Sequence, residues 1–182
     1  DSERRGGLKA QEYTGGDLSA IFAARSFLGI IGDTIEDNEV LKILKSVNIS
    51  RNAKLTPDYL DQITREGKQK INTITSTSAG RFLDAVAIVL GICSENSYDA
   101  ECPMKLESVS RDTDLRIESH YIKSEYGRVL DTTDSLLQIV NLMDKGIKRS
   151  ELAYAAQWHL GEGLAELACD VASTEDILHV GF

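Results

Sequence analysis

With only two prolines in 182 residues, the sequence carries almost nothing that forbids long helices. Cysteine is too scarce for a disulfide framework. Cys93, Cys102 and Cys169 are odd in number and fit no zinc spacing, which predicts reduced thiols serving as small packed side chains. Histidine is equally sparse: His120, His159 and His179 are scattered, with no pair at helical ligand spacing, so they predict structural roles and no metal site. Positive charge is in deficit, 20 Lys and Arg against 29 Asp and Glu for a net charge of -9. A chain so charged meets phosphate backbones and anionic membranes with repulsion, which argues against nucleic acid as a partner. No stretch approaches the roughly 20 apolar residues of a membrane span. The start, DSERRGGLKAQEY, has no apolar core of the signal-peptide kind. Membrane association is therefore not expected, and a cytoplasmic location is.

What is present is helical periodicity. Hydrophobic residues make up 42% of the chain, enough to bury one core and a small second lobe. Asp17 opens DLSAIFAARSFLGII, in which Leu18, Ile21, Phe22, Arg25 and Leu28 recur three or four apart. This predicts one helix capped by Asp17 and stopped by Gly32. Further helices are predicted over 37–46 and from the Thr56-Pro57 cap, with Tyr59, Leu60 and Ile63 as its stripe. Ser78 caps the apolar run AGRFLDAVAIVLGI, closed by Gly91, and a shorter helix follows through Met104, Leu106 and Val109. A Tyr-Gly break in the β-branched and aromatic segment 116–131 predicts a hairpin. Then come a helix capped at Thr133 or Asp134 and a long one from Ser150 to about Ala172. The ending ILHVGF, 177–182, reads as a strand apolar on both faces, with only the hairpin to pair with it, as though a sheet were missing. Such a strand predicts pairing with the hairpin or with a second copy in a homodimer.

Self-contained catalytic sets are absent, and no catalytic residue is assigned. Gly15-Gly16-Asp17 before a helix is either a turn with a cap or an anion-binding helix entrance. Asp84 sits on an otherwise apolar helix, where an ionised carboxylate is costly without a donor, either Arg81 or a ligand hydroxyl.

Three segments, in order, resemble one family. Thr77-Ser78-Ala79-Gly80-Arg81-Phe82-Leu83-Asp84-Ala85-Val86-Ala87, then Leu90-Gly91, then Tyr98-Asp99-Ala100-Glu101 with Leu106-Glu107, is similar to the pattern SSAGRLFDAVAxxLG…YEGExxxxLE of the HypF family of hydrogenase-maturation carbamoyltransferases. Arg5 and Leu8 ahead of Gly15-Gly16-Asp17 and Arg25 resemble its R-x-x-x-L…GGDxxxxxPxR segment, with Ala23 where proline is usual. Leu152-Ala153 with Trp158-His159 resembles its LAxxFHxxLA segment.

The resemblance implies the helical portion of a two-lobed α/β domain of the actin and sugar-kinase type, mainly α, with a short hairpin and one terminal strand. The chain as a whole, 1–182, is expected to be a partial carbamoyltransferase domain, lying between the family's metal-binding histidines and Asp-Gly-Thr-Gly turn on one side and its Ser-Gly-Gly-Val turn on the other. The implied activity is transfer of a carbamoyl group from carbamoyl-adenylate to a cysteine of a HypE-like acceptor protein. ATP and a metal ion are implied for the complete enzyme, and only weak adenine-nucleotide binding for this piece. A non-catalytic helical interaction domain of the same descent is the alternative. The residue matching Asp84 holds ribose hydroxyls in related enzymes, and the implied nucleoside-binding set is Asp84, Gly80, Ala100 and Glu101. Ala100 stands where the pattern has glycine, and its Cβ opposes the positive φ that glycine permits.

Overall fold

The computed structural model describes residues 3–32, 34–46, 56–177, 179 and 181. Two short strands open the chain, β1 (Gly6–Leu8) and β2 (Gln11–Tyr13), followed by α1 (Leu18–Ile21), α2 (Ala23–Ile31), α3 (Asp37–Ser46) and α4 (Pro57–Lys68). Strand β3 (Ile74–Ser76) leads into α5 (Ala79–Val89) and α6 (Glu101–Val109). The hairpin β4 (Tyr121–Ser124) and β5 (Gly127–Leu130) precedes α7 (Thr132–Asp144) and the long α8 (Arg149–Thr174). The fold is mainly helical with small sheets, an α/β arrangement as expected.

Helix α5 is the centre. Phe82, Asp84, Ala85, Val86, Ala87, Ile88 and Val89 are all buried, so it is covered on every side. Helices α2, α6, α7 and α8 pack around it, and the expected pairing of the 78–92 and 150–172 helices is present as α5 against α8. Close approach needs small residues. A Cβ on Gly29 of α2 would lie 2.4 Å from a Tyr13 ring carbon and 2.8 Å from the Glu12 carbonyl, which seats β2 directly on α2.

The strand content exceeds the expectation. The hairpin forms, Tyr121 opposite Leu130 and Ser124 opposite Gly127, but β1 adds to β5 in parallel and β2 pairs antiparallel with β3. Three-residue strands offer too few positions for alternation to show in sequence. The expected terminal strand does not appear at residues 177, 179 and 181, which are outside any strand; Leu178, Val180 and Phe182 lie outside the described residues. The Ile177 N–H instead donates to the Ala172 carbonyl at 2.9 Å, closing the end of α8.

The single helix expected from Asp17 is two. Phe22 leaves helical geometry at φ -101° and ψ 109° and forms an isolated bridge with Glu95. The Ala23 N–H donates to the Ser94 carbonyl at 3.0 Å and the Asn96 N–H to the Ile21 carbonyl at 2.8 Å. Backbone from a distant loop thus replaces the helix's own hydrogen bonds at this point, a tertiary effect that periodicity cannot carry. Asp17 makes no side-chain cap, whereas Gly32 ends α2 at φ 53° as expected. The cap of α7 is Asp131, accepting from the Thr133 N–H, rather than Thr133 or Asp134. At α4 the expected cap holds: the Thr56 hydroxyl oxygen accepts from the Tyr59 N–H at 3.1 Å.

The cysteines correct another expectation. Cys93 and Cys102 are joined in a disulfide, their Cα atoms 5.2 Å apart, and Cys169 alone is a free, exposed thiol. The α5–loop–α6 turn brings the two together, an adjacency set by tertiary structure and invisible in spacing. No helix among the described residues is long and apolar enough to cross a membrane.

Candidate functional site

A cleft of about 420 Å³ opens where the end of α1, the start of α5 and the loop into α6 meet. Its lining includes Ile21, Gly80, Arg81, Asp84, Asn96, Tyr98, Asp99 and Ala100. Asp84 is the anomaly in it, a carboxylate only 1% exposed on a largely apolar, buried helix.

Two donors hold it. The Asn96 side-chain amide donates to Oδ1 at 3.0 Å, and the Arg81 guanidinium lies 3.1 Å from Oδ2. Arg81 is anchored in turn by the Ser19 carbonyl at 2.7 Å. A carboxylate has about four lone-pair sites, so these partners leave acceptor capacity on both oxygens. Gly80, one turn earlier on the same face, adds no side chain; a Cβ there would touch only the Ser78 hydroxyl, at 3.4 Å. Burial raises the Asp84 pKa from its ordinary value, opposed by the Asn96 hydrogen bond and the Arg81 charge and reinforced by Asp99. The sign follows: a raised folded-state pKa contributes stability at low pH that is lost as pH rises through it. The Asp84 carboxylate thus borders the cleft with acceptor sites that Asn96 and Arg81 do not fill.

The loop over the cleft is stiffly built. Glu101 accepts from the Ser97 N–H at 2.7 Å and the Ser97 hydroxyl at 2.6 Å through one oxygen, and from Lys105 through the other. The Lys105 and Ser97 donors hold its pKa down, to about 2. Its carboxylate is thus engaged inside the loop and does not line the cleft, whereas Asp84, Gly80 and Ala100 do.

Ala100 does adopt the conformation its Cβ opposes, with φ 60° and ψ 22° at the N-cap of α6. The loop keeps the glycine geometry at a cost of about 1 kcal/mol. Ala100→Gly is therefore expected to raise stability by about that amount, read as a shift of the urea midpoint at unchanged slope. A loss of stability would show that the left-handed geometry is not what alanine strains.

Gly15, Gly16 and Asp17 lie outside this cleft. Gly15, at φ 88°, leaves room for the Arg25 guanidinium, which a Cβ would meet at 2.4 Å. Arg25 is buried there, donating to Glu66 at 2.6 Å and to the Thr14 carbonyl at 3.3 Å. The histidines are dispersed. His159 is buried, its Nε2 2.7 Å from the Ser135 hydroxyl and its Nδ1 3.2 Å from the Ile117 carbonyl, and burial lowers its pKa, so it ties α7 to α8 as a neutral ring. His120 is exposed beside Asp134. Among the described residues, no three His, Cys, Asp or Glu side chains gather to hold a metal. Sequence reasoning missed Asn96, whose place in a polar loop gives no periodic signal.

Fold and cleft define a helix-rich α/β subdomain with the buried Asp84 carboxylate at its cleft. The family model described as carbamoyltransferase, Kae1-like domain, second subdomain, matches residues 1–182. A probable carbamoyltransferase HypF of Methanocaldococcus jannaschii is 30% identical over 181 residues, covering 98% of this chain and 22% of that protein. The carbamoyltransferase HypF of Rhodobacter capsulatus is 47% identical over 57 residues, 31% of this chain and 7% of that protein. Full-length HypF solved in a phosphate- and nucleotide-bound form superposes with a TM-score of 0.81 at 26% identity, over 96% of this chain and 22% of that one. HypF of T. kodakarensis gives 0.80 at 23%, over 95% of this chain and 23% of that one, a likeness of fold. The chain belongs to the family of the second subdomain of the carbamoyltransferase Kae1-like domain. It spans less than a quarter of the HypF proteins it matches along nearly all its length.

Proposed function

We propose that this chain is the nucleoside wall of a HypF-type carbamoyltransferase, the helical portion of a two-lobed actin-like domain. In the complete enzyme the carbamoyl group of carbamoyl-adenylate, made with ATP, passes to a cysteine of a HypE-like acceptor protein during nickel-iron hydrogenase maturation. The share of this chain is binding and orientation. Asp84 accepts the two adjacent ribose hydroxyls, Gly80 leaves space for the sugar, and the Tyr98–Ala100 backbone covers it. The described residues gather no ligand set for the metal that the resemblance implies for the complete enzyme.

The observation that carries this reading is Asp84, buried yet with acceptor capacity facing a cleft. A vicinal diol supplies the two missing donors in the geometry of one carboxylate. Amide shift mapping with adenosine 5′-monophosphate tests it. Perturbations are expected at Gly80, Asp84 and Ser97 to Ala100. Shifts concentrated instead on the apolar groove between β1 and α8, at Gly7, Ala168 and Val171, would place the nucleotide elsewhere and overturn the reading.

A further inference from the structure

Asn96 joins every wall of the cleft. Its Nδ2 donates to Asp84 Oδ1 and to the Ala20 carbonyl, each at 3.0 Å, and its Oδ1 accepts from the Cys102 N–H at 2.7 Å. Its own N–H donates to the Ile21 carbonyl at 2.8 Å. The partners fix the amide orientation, because a flip would set Nδ2 against a donor and Oδ1 against two acceptors. The loop is also covalently closed around this residue by the Cys93–Cys102 disulfide.

From this geometry we infer that Asn96 is a positioning residue, which holds the Asp84 carboxylate in one orientation so that its remaining lone pairs face the cleft for a vicinal diol. The inference rests on the nucleoside reading. Asparagine is the side chain suited to the place: it must donate towards two acceptors while accepting from one amide. Aspartate is isosteric and keeps the acceptor for Cys102, but presents oxygen to oxygen at Asp84.

Three side chains act on the Asp84 charge, and a fourth faces it. Arg81 from α5 and Asn96 from the loop favour the carboxylate, Asp99 from the loop opposes it, and the Tyr13 hydroxyl of β2 is electrostatically coupled to it. Losing the Asn96 donor therefore strengthens the hold of Asp84 on its proton.

Asn96→Asp separates positioning from bracing. In the wild type, adenosine affinity is expected to fall as pH is lowered and Asp84 takes up a proton. In N96D the two carboxylates titrate as a pair. Affinity should be at least about tenfold below wild type at pH 8, where both are charged and repel, and should recover as pH falls until one shared proton restores a donor to Asp84. The two pH trends then have opposite slopes. Carboxyl carbon resonances followed by nuclear magnetic resonance give a ligand-free readout, in which the Asp84 midpoint moves upward in N96D. Should N96D not fold, Asn96→Ser, which removes the amide without adding charge, must still raise that midpoint. Parallel pH trends for adenosine in both proteins, or an Asp84 midpoint that does not move, would reduce Asn96 to a loop brace and overturn the inference. If adenosine fails to bind the wild type, the nucleoside reading falls, while the Asp84 midpoint still decides whether Asn96 controls the carboxylate.

Discussion

Leu152→Ala is expected to destabilise the protein by about 2–5 kcal/mol, the sum of lost transfer energy and an unfilled cavity. Leu152 is fully buried, and so are Ala153, Ala155 and Ala156 beside it on α8. Helix α8 packs against α5, α6, α7 and the sheet, and a close-packed interior relaxes only partly around a deleted side chain. Against a typical domain stability of about 5–15 kcal/mol, such a loss removes a large part of the total. Glu162, exposed on the same helix, is the comparison: its replacement by alanine should change stability by no more than about 0.5 kcal/mol. Urea unfolding of both variants decides. An equal, small effect at both positions would mean that α8 is not part of the core.

The sequence made the helices legible where local chemistry and burial agree. Helix α3 was readable over its whole length, α4 from its Thr56-Pro57 cap, α5 from an apolar run opened at Ser78, and α8 from the spacing of Leu152, Leu160 and Leu167. In each, the stripe facing the core is also the stripe that local propensity favours. What escaped is what tertiary contact imposes. Phe22 breaks its helix because Ser94 to Asn96 supply hydrogen bonds from across the cleft. Strands β1, β2 and β3 exist because β5, and β2 and β3 mutually, offer partners. Cys93 and Cys102 pair because the turn between α5 and α6 sets them side by side.

The site divides the same way. Asp84 was conspicuous as a charge on an apolar helix, and its need of a donor pointed to Arg81 or a ligand hydroxyl; Arg81 lies against it. Asn96, the second donor, carried no such mark: a polar residue in a polar loop is ordinary until its three partners are seen. Ala100 shows the limit of arguing from propensity. An alanine is poorly suited to φ 60°, yet the Asn96 and Glu101 contacts on either side hold the loop there.

Titration calorimetry of adenosine into wild type and Asp84→Ala shows whether Asp84 receives a ribose diol. The substitution should leave the fold in place, because Arg81 retains the Ser19 carbonyl and Asn96 retains the Ala20 carbonyl as acceptors. Wild type is expected to bind adenosine with millimolar affinity, about 4 kcal/mol. Asp84→Ala is expected to abolish the signal, and 2′-deoxyadenosine, which lacks one hydroxyl of the pair, to bind the wild type measurably less well than adenosine. Equal binding of adenosine by wild type and Asp84→Ala would contradict that role of Asp84.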